Sequence, residues 1–169
     1  MTRSLILGGA RSGKSARALR AAEALSPGRI FIATAEARDE EMAARIAKHR
    51  AEREGGWRTV EAPLDLIRAL NVHAAPGAVC LVDCLTLWLS NLMLAERDAE
   101  YEIAALCDGI ECIEGSVVFV SNEIGLGLVP ETPLGRRFRD AQGRLNQKVA
   151  AVCDRVEFVA AGLPITLKA

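Results

Sequence analysis

The stretch Ser4-Leu5-Ile6-Leu7-Gly8-Gly9-Ala10-Arg11-Ser12-Gly13-Lys14-Ser15 decides the fold class of this chain. An apolar, strand-like run leads into residues 8–15, which fit G-x-x-x-x-G-K-[ST] at each defined position, and a helical pattern follows. Glycines let the backbone curl so that successive N–H groups converge on phosphate oxygens, and the following helix adds about half a positive charge. The stretch therefore predicts a phosphate-binding loop. Lys14 would reach the β and γ phosphates of a nucleotide, and the Ser15 hydroxyl would ligate Mg²⁺.

Further apolar runs suit buried parallel strands, because they are continuously apolar rather than alternating. They cover residues 29–33, 78–83, 116–121 and 156–160, with 57–60 as a weaker candidate. Amphipathic helical patterns lie between them, near residues 40–53, 103–113 and 133–153. Strands that alternate with helices predict a three-layer α/β fold with a mostly parallel sheet flanked by helices. Together with the phosphate loop, this alternation predicts the RecA-like P-loop NTPase fold. We expect a single domain over residues 1–169.

Composition excludes several classes of partner and of site. The chain has 169 residues, with 21 Lys+Arg against 22 Asp+Glu and a formal net charge of −1, so no overall field favours a nucleic acid or an anionic membrane. The apolar runs are shorter than a membrane-spanning helix, and no secretory signal begins the chain, so we expect a cytoplasmic protein. The 5 cysteines lack C-x-x-C spacing, which favours reduced, buried thiols over disulfides or zinc.

An acidic residue, Asp83, follows the apolar run 78–82. A carboxylate at the end of a buried strand could hold the magnesium of a bound nucleotide, directly or through water. Alternatively, Asp83 could cap the helix expected over residues 85–94, and the two functions can coexist. Asn122 and Glu123 follow another buried strand, and ligands gather at that end of open α/β sheets.

One of the two histidines, His49, lies on the apolar stripe of its helical pattern and among cations: Arg45, Lys48, Arg50 and Arg53. A histidine at such a position can be a half-buried structural residue with the arginines in solvent. Alternatively, the cations gather phosphate oxygens while the imidazole attacks phosphorus, since nearby positive charge lowers the pKa of a histidine from about 6.5. The residues alone leave both interpretations open.

Six segments resemble one enzyme family closely and in order along nearly the whole chain. They are GGARSGKS (8–15), IATA (32–35), DEEMAARI (39–46) leading to His49-Arg50, WRTVE (57–61), DCLTLWLSN (83–91) and SNEIGLGLVP (121–130). The chain thereby resembles the bifunctional adenosylcobinamide kinase and adenosylcobinamide-phosphate guanylyltransferase family of cobalamin biosynthesis. Many enzymes share a phosphate loop, but the six segments together are specific. One departure is the lack of the family's proline shortly before Trp57.

The resemblance implies a two-step enzyme. ATP or GTP would phosphorylate adenosylcobinamide, and GMP would then pass from GTP to adenosylcobinamide phosphate through a GMP-histidine intermediate at His49, releasing pyrophosphate. It also implies a homo-oligomer, typically a trimer, with Lys14 catalytic and with Ser15 and Asp83 as ligands of Mg²⁺. The implied nucleotide contacts are Gly8, Gly9, Ala10, Arg11, Ser12, Gly13, Lys14, Ser15, Ala33, Thr34, Ala35, Arg50, Ala51, Glu52, Arg53, Glu61 and Asp83.

Other interpretations remain open from the sequence. The chain could be a small-molecule kinase that only phosphorylates, with His49 structural, or a nucleotide-operated switch that changes a partner's affinity. Glu61 could bind guanine or ribose, or be a surface acid that closes a strand. The loop near Asn122–Gly127 and the basic helix 136–148 could hold the corrinoid or a neighbouring subunit, or merely be soluble surface.

Overall fold

A computed structural model describes residues 1–37, 40, 44, 47 and 55–169. Its strands are β1 (Arg3–Gly8), β2 (Gly28–Ala33), β3 (Trp57–Glu61), β4 (Ala78–Asp83), β5 (Ser116–Asn122), β6 (Arg155–Ala160) and β7 (Leu163–Lys168). Its described helices are α1 (Lys14–Leu25), α2 (Leu66–His73), α3 (Leu85–Leu94), α4 (Ala99–Cys112) and α5 (Pro133–Val152). None of the helices described is both long and apolar enough to cross a membrane.

The strands form one sheet in the order β3-β2-β4-β5-β1-β6-β7. Six strands run parallel, and β7 pairs antiparallel with β6 at the edge. One strand, β5, lies between the strand that leads into the phosphate loop and the strand that ends at Asp83. This arrangement confirms the expected mostly parallel α/β architecture, and it brings the carboxyl ends of β1 to β6 to one edge.

Helices cover both faces of the sheet. On one face, α1 buries Ala18 and Ala22 against side chains of the central strands such as Ile6 and Val118. On the other face, α2 to α5 pack against a larger aliphatic core that includes Trp88 and Phe119. The leucines of α3 belong to this core: Leu85, Leu89 and Leu92 have no exposed surface. From the sequence, the apolar side chains of residues 85–93 could form either a subunit interface or part of the core, and the structure places these three leucines in the core.

Some details differ from the sequence expectation. The sequence around His73, which leads into Ala75-Pro76-Gly77, is typical of a loop, but helix α2 runs to His73. Strand β7 has no counterpart among the apolar runs of the sequence. The sequence places Leu134 on the apolar stripe of the helical pattern 133–153, but in the structure it lies in the first turn of α5 and is 56% exposed. Four cysteines are buried, as expected, whereas Cys112 is exposed. The helical pattern 40–53 falls almost entirely outside the described residues.

Candidate active site

The phosphate loop leaves β1 at Gly8 and enters α1 at Lys14. Two of its residues have left-handed backbone, Arg11 with φ 55° and Gly13 with φ 94°, which turns the chain sharply before the helix. Gly13 stands at the N-cap and has no side chain to cap the first N–H groups of α1, so a bound anion can accept from them. Lys14 Nζ donates to the Gly9 carbonyl at 3.0 Å, which places the ammonium over the loop. These features suit the binding of a polyphosphate.

A buried ion pair holds α1 against the sheet. Glu157 lies on β6 with its side chain 3% exposed, and it accepts from Arg17 Nε and Nη2, both at 2.7 Å. Arg155 Nη2 lies 2.8 Å from the same carboxylate. The hydrogen bond from Arg17 is the main reason that the pKa of Glu157 is lowered, so the carboxylate stays charged. Because Arg17 is one turn from Lys14, the pair fixes the start of α1 and therefore the phosphate loop.

The β6–β7 turn supports the loop from the other side. Gly162 N–H donates to the Ser12 carbonyl at 2.8 Å. A Cβ at Gly13 would lie 3.1 Å from the Cα of Gly162, so the two backbones approach closely. Glycine at position 13 is thus required by its backbone conformation and by its contact with the turn.

The strand end that carries Asp83 is fixed by a group of buried polar side chains. Thr34 Oγ1 donates to the Cys84 carbonyl and accepts from Cys84 N–H, both at 2.8 Å, across a cis Asp83–Cys84 peptide bond. Asn91 Nδ2 donates to the carbonyls of Thr34 and Pro63, at 2.8 and 3.1 Å. The N-cap of α3 is Cys84, so the alternative in which Asp83 caps this helix is wrong. Asp83 ends β4 half-buried at the carboxyl edge of the sheet.

A second polar network fixes the end of β5. Asn146 Nδ2 donates to the Asn122 carbonyl at 3.0 Å, and Ser121 Oγ donates to Asn146 Oδ1 at 2.7 Å. Gln142 Nε2 donates to Ser121 Oγ at 2.9 Å. Glu123 N–H then donates to the Gly8 carbonyl at 3.1 Å, so the segment after β5 begins directly beside the phosphate loop.

The remaining candidate residues are spread along the same edge. With neighbouring strands about 4.8 Å apart, Asp83 lies about 10 Å from the end of β1, Ala33 about 14 Å and Glu61 about 19 Å. Ala33 and Ala35 are half-buried, and Glu61 is exposed as the last residue of β3. Thr34 has no exposed surface and its hydroxyl is bonded to Cys84, so its side chain positions the edge. His49 and the contacts expected at Arg50, Ala51, Glu52 and Arg53 lie outside the described residues.

The sequence of the chain matches a characterised family. Residues 4–167 match the family described as cobinamide kinase / cobinamide phosphate guanyltransferase. The chain belongs to this family. The bifunctional adenosylcobalamin biosynthesis protein CobP of Pseudomonas aeruginosa is 49% identical over 168 residues, covering 98% of this chain and 97% of that protein. The corresponding CobU protein of Salmonella typhimurium is 39% identical, covering 97% of this chain and 98% of its own length. The chain is thus a cobinamide kinase and guanylyltransferase of cobalamin biosynthesis.

Solved structures with low sequence identity share the fold of this family member. The P4 protein from bacteriophage phi6 in complex with ADP superposes with a TM-score of 0.55 at 15% identity, covering 96% of this chain and 52% of that chain. The flagellar accessory protein FlaH from Methanocaldococcus jannaschii gives 0.54 at 13% identity, covering 99% and 78%. At these identities the likeness shows the fold alone, and it agrees with the P-loop architecture described above.

Several residues that position the site of this kinase and guanylyltransferase were not foreseen from the sequence. They are Arg17, Asn91, Gln142, Asn146 and Glu157. Glu157 interrupts an otherwise apolar strand, and Gln142 and Asn146 lie one helical turn apart beside the apolar stripe of α5. A polar residue within an apolar pattern is the signal that could have drawn attention to them, because burial of such a group requires a partner.

Proposed function

We propose that this chain phosphorylates adenosylcobinamide with ATP or GTP and then transfers GMP from GTP to the product through His49. The observation that carries the proposal is the complete phosphate loop, residues 8–15, sharing one sheet edge with Asp83 in a member of this family. In the first reaction the substrate hydroxyl releases its proton to water and its oxygen bonds to the γ phosphorus, while the bond from that phosphorus to the β–γ bridging oxygen breaks and the nucleoside diphosphate leaves. Lys14 and the first N–H groups of α1 compensate the charge on the phosphate oxygens.

The second reaction is proposed to proceed in two displacements. A nitrogen of His49 bonds to the α phosphorus of GTP and pyrophosphate leaves, which forms a GMP-histidine. A phosphate oxygen of adenosylcobinamide phosphate then bonds to the same phosphorus, the bond to histidine breaks, and adenosylcobinamide-GDP forms. The covalent intermediate divides one difficult transfer into two easier steps. Cations near His49 in the sequence, including Arg50 and Arg53, would bind the phosphate oxygens.

The distance between strand ends supports the proposal that a single extended GTP occupies the edge of the sheet in this second reaction. The ends of β1 and β2 are about 14 Å apart at ordinary strand spacing, which is comparable to the length of an extended nucleoside triphosphate. We propose that the phosphates of GTP lie on residues 8–15 and that its guanosine lies toward Ala33, Ala35 and Glu61. Thr34 would act by holding the Asp83–Cys84 segment in place.

The donor set at this edge fits magnesium. Ser15 offers a hydroxyl in the first turn of α1, and Asp83 offers a carboxylate at the end of β4. Both donors are oxygens, which Mg²⁺ prefers, and the ion usually keeps several waters and binds phosphates as well. We propose that Ser15 and Asp83 hold Mg²⁺ together with the nucleotide. When bound, the ion neutralises charge that develops on the phosphate oxygens.

Labelling of the protein by nucleotide tests the proposal. Wild-type protein incubated with Mg²⁺ and GTP labelled at the α phosphate is expected to acquire covalent label that survives base and is lost in acid. The chain offers a matched control because it has only 2 histidines. His49→Ala is expected to abolish the label, whereas His73→Ala, at the end of α2, is expected to retain it. Unlabelled wild-type protein, or label retained in His49→Ala, would contradict the GMP-histidine step.

The kinase step and the assembly are tested separately. Lys14→Ala is expected to lower phosphorylation of adenosylcobinamide by at least a hundredfold, and retained turnover would remove the phosphate loop from the reaction. Persistent kinase activity in His49→Ala is expected as well, since only the guanylyl transfer uses the imidazole. The homotrimer that the resemblance implies stays a prediction, and light scattering by the purified protein measures it.

A further inference from the structure

The segment between β5 and α5, residues 123–132, carries apolar side chains that nothing in the described structure covers. We call this segment the β5–α5 loop. Leu126 is 85% exposed, Leu128 is 97% exposed and Val129 is 62% exposed. Single exposed leucines are common on proteins, but three large apolar side chains within four residues of a loop form a patch of the kind that binds a partner or ligand.

The loop is fixed at both of its ends. At its start, Glu123 N–H donates to the Gly8 carbonyl at 3.1 Å. At its end, Arg136 Nη1 donates to the carbonyls of Pro130 and Glu131, at 3.0 and 2.7 Å. A Cβ on Gly135 would lie 2.8 Å from the Cβ of Pro130, so the loop packs closely on the first turn of α5. The exposed apolar residues of the loop therefore lie between two fixed ends.

The position of the loop indicates what it binds. Its first residue, Glu123, is bonded to Gly8, where the phosphate loop starts, so the β5–α5 loop begins beside the site of phosphoryl transfer, and Leu126 follows only three residues later. On the other side of that loop, the β6–β7 turn offers only Ala161 and Gly162 before Leu163. An attacking hydroxyl must come within about 3.5 Å of the phosphorus. The body of the acceptor must therefore rest on a surface beside the phosphate loop.

The chemistry of the acceptor matches this patch. Cobinamide, the acceptor in the family's own description, is a macrocycle whose rim carries methyl groups and primary amides, and its hydroxyl is on a short arm. We propose that Leu126 and Leu128 of the β5–α5 loop form the apolar seat of the corrin ring during both reactions. This inference rests on the proposed function, because it assigns the acceptor side of that same site.

Replacement of Leu126 and Leu128 by polar residues tests whether they form the seat of the corrin ring. Leu126→Ser with Leu128→Ser is expected to raise the KM for adenosylcobinamide at least tenfold, which corresponds to about 1.4 kcal/mol, and to leave the KM for ATP within twofold. Binding of dicyanocobinamide, followed by its visible absorption in equilibrium dialysis, is expected to weaken by a similar factor. Leu126→Met with Leu128→Met keeps apolar bulk and is expected to bind like wild type.

A matched control uses exposed apolar residues at the opposite edge of the sheet. Val72, 65% exposed, lies near Ala74, which is bonded to the residue before β5, and Leu167, 60% exposed, lies near the end of β7. Val72→Ser with Leu167→Ser is expected to leave both KM values unchanged. An acceptor KM within twofold of wild type in the loop variant overturns the seat, while intact kinase activity leaves the proposed function standing.

Two further outcomes distinguish a corrin-binding surface from a subunit contact and from failure of the proposed function. If the loop variant has a smaller mass by light scattering and a raised acceptor KM, the leucines cover a subunit contact and the seat is overturned. If wild-type protein neither binds dicyanocobinamide nor phosphorylates adenosylcobinamide, the proposed function fails and the seat fails with it.

Discussion

Replacement of Glu157 by Gln removes a buried negative charge that holds α1 against β6. The carboxylate is 3% exposed and receives two bonds of 2.7 Å from Arg17, whose side chain is 25% exposed, with Arg155 at 2.8 Å. Gln keeps one acceptor but places an NH₂ group against a guanidinium. Because breaking a buried ion pair costs about 3–5 kcal/mol and Arg17 can still reach water, we expect a loss near the lower limit, about 3 kcal/mol. For a chain of this size that corresponds to a fall in Tm of roughly 6–12 °C.

The loss of unfolding free energy caused by Glu157→Gln is expected to become smaller as the pH is lowered. The folded-state pKa of Glu157 is lowered, chiefly by the hydrogen bond from Arg17, so its stabilisation is present above the unfolded-state pKa of 4.5. That stabilisation is lost as the pH falls through the lower folded-state pKa. The difference in free energy of unfolding between wild type and Glu157→Gln should therefore be full at pH 7 and shrink below about pH 4.

Urea unfolding at several pH values measures this difference, and Glu100→Gln is its matched control. Glu100 pairs with Arg144 and Lys148, but its side chain is 49% exposed, so its loss is expected to cost under about 1 kcal/mol. A loss at pH 7 in Glu157→Gln that is no larger than in Glu100→Gln would refute the reasoning. So would a difference that grows as the pH is lowered.

Two substitutions and one labelling experiment test the site and the core. Gly8→Ala is expected to weaken ATP binding at least tenfold in calorimetry, because its Cβ would lie 2.6 Å from the Val159 carbonyl, whereas Gly143→Ala, with open space, should bind ATP normally. Asn91→Leu should lower the free energy of unfolding by about 2–4 kcal/mol, since the buried Thr34 carbonyl and the part-buried Pro63 carbonyl lose this donor, and a loss under about 1 kcal/mol in urea unfolding contradicts this. In the native protein at pH 8, Ellman's reagent should modify one thiol, Cys112, and more than one would be inconsistent with the buried positions of the others. Burial raises the pKa to about 12 for Cys80, Cys84 and Cys153.

The parallel strands could be predicted from the sequence because most of them are continuously apolar runs, and all six begin and end within one residue of the expected bounds. β7 could not, because all six of its residues are exposed and it contains Pro164, so it lacks the pattern of a buried strand. Helix α2 has only eight residues, which gives little periodicity to detect.

The phosphate loop and Asp83 could likewise be placed from the sequence, because motif spacing and strand ends are local properties. The pairing of Arg17 with Glu157 could not, since it joins residues 140 positions apart through the register of α1 on β6. The Thr34 hydroxyl donates to Cys84 and accepts from it, which is a tertiary feature that spacing does not reveal. Similar reasoning applies to the Gln142 and Asn146 network. The nucleotide contact expected at Thr34 stays a prediction.

The strand that leads into the phosphate loop has consequences for how the chain is synthesised. β1 is made before the other six strands, yet its ladder partners are β5 and β6, more than a hundred residues later. On the ribosome, β1 must therefore wait for residues 155–159 before its hydrogen bonds are complete, a high contact order that slows folding. A nascent chain interrupted before that point would carry the entire motif and still lack a rigid cradle for nucleotide.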